Sequence, residues 1–252
     1  MTVHIENGDC LELMAKLPDK SVDLFICDLP YGETNCSWDS KIDLVKFWAE
    51  FKRLRKHTRV ACIHFCSTKF GYTLIKSNPS LYKMDMVWKK RNKTGGLQSR
   101  LRPMRNHEMV YFFYEQSPKY NRDKYHKRIQ AKPKLPSSVI EETCSGAEFG
   151  WETHKLPKEN RGNEGYDPRL PCSMFESGKV FVGKRNHQTE KPLDILEFFL
   201  KYYTDEGDTV LDPTMGSGSV GVACAKLNRN FIGYELTEKY FEVAKNRIEK
   251  KK

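Results

Sequence analysis

The sequence predicts a three-layer α/β domain on a mostly parallel sheet of about seven strands. Seven short segments rich in Val, Ile, Leu, Phe and Tyr have the length of buried strands, and helical patterns separate most of them. The strand candidates are residues 3–5, 22–28, 59–66, 84–89, 108–114, 209–213 and 230–235. A chain of 252 residues can bury a substantial core, in one large domain or in one domain with an insertion.

The segments between these strands supply the helices. Apolar residues recur at helical spacing over residues 11–17 and 42–55, and again over 193–200, where a proline precedes the segment. Small and apolar residues follow the glycines at 216–221, and residues 240–252 end the chain as a polar helix. The alternation of strand and helix is what favours a parallel sheet.

The second strand candidate ends in Asp28-Leu29-Pro30-Tyr31, followed by Gly32. These residues put a carboxylate, a fixed turn and an aromatic ring at the carboxyl end of a strand. Ligands bind at that edge of an open α/β sheet. The alternative from local sequence alone is an ordinary Asp-Pro turn with a tyrosine packed into the core.

A glycine-rich turn follows the strand candidate at 209–213. Its letters are Gly216-x-Gly218-x-x-Gly221, placed after Asp212-Pro213, and the next strand candidate ends in Glu235. A glycine turn with an acid after the following strand is typical of a site for a nucleotide-like ligand, in which the acid binds ribose hydroxyls. A nicotinamide-dependent dehydrogenase stays open as an alternative, although no hydride-transfer site is recognisable.

Taken together, these stretches resemble the beta class of amino-methylating DNA methyltransferases, the adenine-N6 and cytosine-N4 family that uses S-adenosylmethionine. Asp28-Leu29-Pro30-Tyr31 resembles the catalytic tetrapeptide, and residues 212–218 resemble the cofactor loop. Residues 187–193, His-Gln-Thr-Glu-Lys-Pro-Leu, are similar to the cofactor-side segment upstream of that loop. The three motifs occur in the order of the beta class. One departure is Leu29, where the family usually has proline.

The resemblance implies a Rossmann-like methyltransferase sheet of circularly permuted order. It implies a catalytic domain of residues 1–115 and 181–252, with an inserted target-recognition region at 116–180. The last strand before the insertion is expected to run antiparallel, as in the family.

The resemblance also implies the residue roles. The expected catalytic residues are Asp28, Leu29, Pro30 and Tyr31. The expected contacts to S-adenosylmethionine are Asp9, Cys10, Asp28, His187, Thr189, Lys191, Asp212, Pro213, Thr214, Gly216, Ser217, Gly218, Ser219, Glu235 and Leu236. Local sequence gives two of these residues an alternative, because Asp9 is placed to cap a helix and Lys191 is equally an ordinary surface lysine.

The function implied by the resemblance is methyl transfer to the N6 amino group of an adenine flipped out of duplex DNA. The leading aspartate of the tetrapeptide favours adenine, because family members with serine there are mostly cytosine-N4 enzymes. A cytosine-N4 methyltransferase and a catalytically inactive nucleic-acid-binding relative stay open as alternatives. A homodimer and a cognate restriction nuclease, as in restriction-modification pairs, also stay open.

The charge of the chain agrees with a nucleic-acid partner. Lys and Arg number 43 against 33 Asp and Glu, a net charge of +10. Seven cations lie in residues 89–107, around Gly95-Gly96, and predict a flexible loop between two strands that binds the backbone of double-stranded DNA. They are Lys89, Lys90, Arg91, Lys93, Arg100, Arg102 and Arg105. The alternative is an exposed, merely solvated loop.

The cysteines predict a location and bear on metal binding. Eight cysteines with no secretion signal and no long apolar run indicate reduced thiols in the cytoplasm, and no membrane partner. Cys62, His64 and Cys66 alternate along one strand and so share a face. No Cys-x-x-Cys occurs and no fourth ligand is evident, so the sequence favours buried thiols beside a hydrogen-bonded histidine and predicts no metal.

Overall fold

The computed structural model describes residues 1–32, 42–128, 166–177 and 190–250. The chain divides into two compact units, Met1–Tyr120 with Ser173–Lys252, and Asn121–Cys172. The strands are β1 (Val3–Asn7), β2 (Leu24–Cys27), β3 (Ala61–Cys66), β4 (Tyr82–Thr94), β5 (Arg105–Phe113), β6 (Lys127–Arg128), β7 (Tyr166–Asp167), β8 (Met174–Ser177), β9 (Thr209–Asp212) and β10 (Asn230–Glu235). The helices are α1 (Cys10–Met14), α2 (Leu44–Leu54), α3 (Thr68–Ser77), α4 (Arg122–Tyr125), α5 (Leu193–Tyr203), α6 (Ser219–Lys226) and α7 (Glu238–Glu249).

The larger unit is built on an eight-stranded sheet in the order β1-β10-β9-β2-β3-β5-β4-β8. The first five of these strands are parallel neighbours. Strand β5 runs antiparallel to both β3 and β4, and β8 lies parallel to β4. The predicted α/β fold with a mostly parallel sheet is confirmed, as is the antiparallel strand before the region at 116–180.

Strand β8 is the strand of the main sheet that the sequence did not predict. Its residues Met174–Ser177 fall inside the region assigned to the insertion, but they pair with Val87–Lys90 at the edge of the main sheet. Four residues with only one buried side chain carry too little hydrophobic pattern to be recognised as a strand. The main sheet therefore resumes before the predicted boundary at residue 180.

Helices cover both faces of the sheet. Alternate residues of β2 point to opposite faces, so Leu24 and Ile26 join one core cluster while Phe25 and Cys27 join the other. The first cluster takes its helical side chains from α5, α6 and α7, and the second takes them from α1, α2 and α3. The result is the predicted three-layer arrangement.

The topology brings three strand ends to one edge. Strands β2, β9 and β10 are parallel neighbours, so their last residues Cys27, Asp212 and Glu235 lie at the same edge of the sheet. From β2 the chain continues to β3, the neighbouring strand on one side, and the neighbouring strand on the other side is β9. Ligand sites form at such reversal points in open α/β sheets.

The prediction of a flexible loop at residues 89–107 is wrong. Strand β4 continues to Thr94 and β5 begins at Arg105, and these two residues pair across a long antiparallel hairpin. Only residues 95–104 form the turn. The pairing is irregular between Lys89 and Thr94, and the paired residues on either side hold this basic stretch of β4 extended.

The smaller unit is described only at its two ends. Strands β6 and β7 pair antiparallel, and the His126 Nδ1 lies 2.6 Å from the Pro168 carbonyl oxygen. Residues 129–165 and 178–180 of the region expected to choose the DNA sequence lie outside the described residues. Within the described ranges, no helix combines the length and the apolar character that a membrane crossing requires.

Candidate active site

The tetrapeptide Asp28–Tyr31 begins where β2 ends. Leu29 is 1% exposed, so its side chain anchors the turn in the core where the family usually has a proline. The Tyr31 hydroxyl donates to Asp28 Oδ1 at 3.1 Å, and its ring stacks on Phe70 with the ring centroids 4.8 Å apart. Burial raises the pKa of Tyr31 well above its ordinary value, and the Asp28 carboxylate adds to this effect. The hydroxyl therefore keeps its proton and orients the carboxylate.

A buried ammonium group lies against the same carboxylate. The Lys191 side chain is 9% exposed, and its Nζ lies 2.5 Å from Asp28 Oδ2 and 3.6 Å from Glu108 Oε2. Glu108 also pairs with Lys90, whose ammonium lies over the Trp88 ring. Burial lowers the pKa of Lys191, but the carboxylates of Asp28 and Glu108 outweigh it and leave that pKa raised. Four charges thus alternate in sign from Lys90 to Asp28, a set we call the charge row (Lys90, Glu108, Lys191 and Asp28).

The glycine turn after β9 forms the second wall. Gly216 and Gly218 have φ values of 52° and 75°, a left-handed backbone conformation in which a side chain is disfavoured. The Asp212 side chain is buried, and its Oδ1 accepts from the Thr214 N–H at 3.1 Å. Burial raises the pKa of Asp212 well above its ordinary value. The turn is thus held by its own carboxylate, and α6 starts directly after Gly218.

An acid closes the third side, at the end of β10. Glu235 Oε2 accepts from the Gly216 N–H at 3.0 Å, and Oε1 accepts from the Thr237 N–H at 2.9 Å. Burial raises the pKa of Glu235. The carboxylate therefore joins the glycine turn to the entry of α7.

One hydrogen bond joins the tetrapeptide to the glycine turn. The Thr214 hydroxyl donates to the main-chain oxygen of Asp28 at 3.1 Å. Both stretches line one cavity of about 230 Å³. Of the residues expected to bind cofactor or catalyse, those lining this cavity are Asp9, Cys10, Asp28, Leu29, Pro30, Tyr31, Lys191, Asp212, Pro213, Thr214, Gly216, Ser217, Ser219, Glu235 and Leu236.

Of the expected cofactor residues that the structure describes, Gly218 is the one that does not line the cavity. Gly218 caps the start of α6 instead, while His187 and Thr189 lie outside the described residues. Asp9 does both things that the sequence allowed, because it lines the cavity and its carboxylate accepts from the Leu11 and Glu12 N–H groups of α1.

Comparison with known proteins decides the family. A family model described as a DNA methylase of the N6/N4 type matches residues 22–246, most of the chain. The chain belongs to the N6/N4 DNA methylase family. The type II methyltransferase M.HinfI of Haemophilus influenzae is 24% identical over 97% of this methylase and 67% of its own length. M.HpaI of Haemophilus parainfluenzae is 37% identical, over 31% of this chain and 26% of its own.

Solved structures support the same fold. The M1.HpyAVI–SAM complex has a TM-score of 0.60 at 24% identity and covers 98% of this methylase and 100% of its own chain. The cytosine-N4-specific PvuII DNA methyltransferase has a TM-score of 0.66 at 15% identity, covering 98% and 86%. TTHA0409 of Thermus thermophilus, complexed with S-adenosyl-L-methionine, has a TM-score of 0.57 at 16% identity, covering 100% and 96%.

The sequence missed several walls of the methylase cavity. The sequence analysis used Glu108 only as the start of a strand, but Glu108 lines the cavity. An acidic residue in an otherwise apolar strand needs a partner when buried, and this feature could have indicated a site residue. Lys191 lines the cavity and is buried, so it is not an ordinary surface lysine, and the sequence did not reveal that its ammonium contacts Asp28. Further lining side chains to which the sequence analysis gave no role are Ile42, Phe65, Glu190, Leu196, Met215, Val220 and Tyr240.

The basic residues of the methylase hairpin divide into two groups. Lys90 is buried in its pair with Glu108, so it does not face outward as the sequence predicted, and Lys89 pairs with Glu176 of β8 at 2.9 Å. The other five are exposed along the hairpin, namely Arg91, Lys93, Arg100, Arg102 and Arg105. The surface that the hairpin offers to a polyanion is therefore its outer part.

The cysteines near His64 differ from the expected set. Cys62 Sγ lies 3.2 Å from His64 Nε2, and Cys27 Sγ lies 3.9 Å from Cys62 Sγ, all fully buried. Cys27 takes the place expected for Cys66, whose Sγ lies 4.0 Å from the Met109 carbonyl oxygen. Adjacent parallel strands bring Cys27 beside this pair, a proximity that spacing within one strand does not reveal.

The raised pKa of Asp212 gives a stability prediction. A carboxyl group whose pKa is raised by folding binds its proton more tightly in the folded state. Its presence therefore makes stability fall as pH rises from the ordinary aspartate range through the raised pKa. Asp212→Asn keeps an acceptor for the Thr214 N–H and cannot ionise. We expect it to raise the melting temperature at pH 7, by roughly 2–4 °C for each kcal/mol gained, and to raise it less near pH 4.

Thermal unfolding at both pH values tests this expectation. Asp85→Asn is the matched control, because Asp85 is exposed on β4. An Asp212→Asn variant that is no more stable than the wild type at pH 7 would contradict the stated cost of the buried carboxylate.

Proposed function

We propose that this methylase transfers a methyl group from S-adenosylmethionine to the N6 amino group of an adenine flipped out of duplex DNA. The observation that carries the proposal is the single cavity shared by Asp28–Tyr31 and the glycine turn, which the Thr214–Asp28 hydrogen bond joins. Donor and acceptor of a group transfer must meet in one enclosed space, and these two loops bound such a space.

The residues of the cavity fit S-adenosylmethionine. Glu235 presents a buried carboxylate at the end of β10, where ribose hydroxyls are bound in nucleotide sites. Apolar side chains of Met215, Val220 and Leu236 line the same space and suit an adenine ring. When bound, the cofactor supplies a methyl group already activated by its sulfonium. The neighbours M1.HpyAVI and TTHA0409 were each solved with this molecule.

The chain's own contribution is to localise and aim an electron pair. An exocyclic amine is a poor nucleophile because its lone pair is delocalised into the ring. Asp28 and the main-chain carbonyl of Leu29 would each accept one N–H of the amine and draw the nitrogen toward tetrahedral geometry. The Tyr31 hydroxyl and the Lys191 ammonium hold the Asp28 carboxylate from two sides. Such positioning contributes up to about 7–11 kcal/mol in favourable cases.

We propose that the Tyr31 ring stacks on the flipped base. Two variants distinguish this role of the ring from the role of the hydroxyl. Tyr31→Ala removes a stacking interaction of about 1–3 kcal/mol, so we expect transfer to fall by about 5- to 150-fold. Tyr31→Phe loses only what the hydroxyl donates to Asp28 and to the Phe65 carbonyl oxygen. A hydrogen bond contributes about 0.5–1.5 kcal/mol, so transfer is expected to fall about tenfold or less. Equal losses in the two variants, measured as kcat/KM, would assign the role of Tyr31 to its hydroxyl.

Adenine is proposed because Asp28 leads the tetrapeptide. The runner-up is cytosine N4, which the likeness to the PvuII enzyme favours. The deciding experiment incubates unmethylated DNA with the protein and labelled S-adenosylmethionine, and then identifies the methylated nucleoside by mass spectrometry. N6-methyladenine supports the proposal, N4-methylcytosine supports the runner-up, and label in neither would indicate an inactive relative. A parallel arm with RNA tests the nature of the polymer.

A further inference from the structure

Two leucines are exposed to solvent at the end of the β4–β5 hairpin. Leu97 is fully exposed and Leu101 is 87% exposed, which makes them the two most exposed large apolar side chains among the described residues. Both lie in the hairpin tip, residues 95–104. Single exposed apolar residues are ordinary on protein surfaces, but this pair shares one small turn at the end of a long projection.

The hairpin tip is closed by its own hydrogen bonds. Gly95 takes a left-handed conformation with φ 86°, and a short 3-10 helix follows over Gly96–Gln98. The Leu101 N–H donates to the Gln98 carbonyl at 3.0 Å, and the Arg102 N–H donates to the same oxygen at 3.1 Å. The leucines are therefore carried on an ordered turn, which limits the conformational freedom lost when they become buried.

The charged residues that flank these leucines are all cations. Residues 91–105 contain five Lys and Arg residues and no Asp or Glu. Arg91 and Lys93 lie on β4, and Arg105 begins β5, all with exposed side chains. An apolar end on a purely basic arm is complementary to a polyanion that has an apolar interior, and stacked base pairs within a phosphate backbone have that chemistry.

The hairpin tip is continuous with the active site through one strand. Lys90 belongs to the charge row that ends at Asp28, and it lies on the arm that leads to the tip. Strands rise about 3.3 Å per residue, so Thr94 lies about 13 Å beyond Lys90. That distance is about four base-pair steps of duplex DNA at 3.4 Å each. A duplex whose target base occupies the cavity therefore lies within reach of the tip.

We propose that Leu97 and Leu101 form a wedge that inserts between base pairs of the duplex, within a few base-pair steps of the flipped base, while the cations of the hairpin arms bind the phosphates. This inference rests on the proposed function. Inserted leucines separate a base step, and exposed apolar side chains lose their contact with water in return. The wedge thereby stabilises the DNA conformation from which the target base leaves the stack.

The test compares the double variant Leu97→Ser/Leu101→Ser with a matched control, Val45→Ser/Tyr72→Ser, whose side chains are exposed on α2 and α3. Methyl transfer is measured on a short duplex carrying the mapped target site, fully paired or with a mismatch opposite the target base. A mismatch lowers the cost of extrusion. The leucine variant is expected to lose about 10- to 100-fold in kcat/KM on the paired duplex, the scale of a few kcal/mol of unpairing. On the mismatched duplex it should approach the wild type, and the control should match the wild type on both.

A second readout does not depend on catalysis. With 2-aminopurine placed in turn at each of the first few base pairs beside the target pair, fluorescence should rise at one of these positions on binding of the wild type. It should stay low at that position with the leucine variant, because the step is no longer separated. Equal loss on both duplexes, or no loss on either, would overturn the wedge and leave the proposed function standing. A leucine variant that keeps its DNA activity but loses binding to anionic vesicles would assign the tip to a lipid surface. A wild type that methylates no DNA would overturn both proposals.

Discussion

Replacing Asp28 with alanine is expected to abolish methyl transfer. The carboxylate is the one acidic group held by both the Tyr31 hydroxyl and the Lys191 ammonium, and it faces the cavity that the glycine turn also lines. Without it the target amine loses the acceptor that localises its lone pair. Removing a single preorganised partner of a transition state costs about 10²–10³-fold in kcat, and we expect a loss at or above the upper end.

The same variant should still bind S-adenosylmethionine. The proposed cofactor contacts Glu235, at the end of β10, and Gly216, in the turn after β9, stay hydrogen-bonded to each other. Isothermal calorimetry measures this binding, and labelled-methyl incorporation measures transfer. Asp85→Ala is the control, since Asp85 is an exposed aspartate on β4 outside the cavity. Turnover like that of the wild type in Asp28→Ala would remove Asp28 from the reaction, and loss of cofactor binding together with turnover would indicate a collapsed site.

Local sequence was sufficient to predict the elements that carry their own pattern. The strand before Asp28 and the turn around Gly216 are each contiguous, and a parallel sheet brings such strand ends to one edge. The partner of Asp28 was beyond this kind of reasoning, because Lys191 lies 163 residues away and its role depends on which carboxylate it meets. Glu108 joins the same group only because β5 runs antiparallel beside β3.

In the β4–β5 hairpin, local sequence led to a wrong prediction. Glycine and closely spaced cations predicted a flexible loop at residues 89–107, since like charges repel and glycine frees the backbone. Pairing between β4 and β5 overrides both effects and reduces the turn to residues 95–104. Hydrogen bonding to other strands determines the conformation of such segments, and composition alone does not reveal that bonding.

Lys191 gives the second large prediction. The charge row has no net charge, because its two ammonium groups alternate with two carboxylates. Lys191→Met keeps most of the side-chain volume and removes the cation between Asp28 and Glu108. The Asp28 carboxylate then loses one of the two groups that orient it, and displacement of a reacting group by about 1 Å can cost about 10²-fold. We expect kcat to fall on that scale while S-adenosylmethionine binding changes less.

The pH profile separates this positioning role from a merely structural one. Two neighbouring carboxylates without a cation between them favour holding a proton, so the acidic limb of the rate profile of Lys191→Met should move to higher pH. Breaking a buried ion pair from one side also destabilises the fold, by about 3–5 kcal/mol. The double variant Lys191→Met/Glu108→Gln restores zero net charge to the row. It should regain much of the lost stability and show a smaller shift of the acidic limb, a non-additivity expected of residues in one network. If the double variant is as unstable as the sum of its single changes, and the acidic limb of Lys191→Met lies where the wild type has it, then Lys191 does not act on Asp28 through its charge.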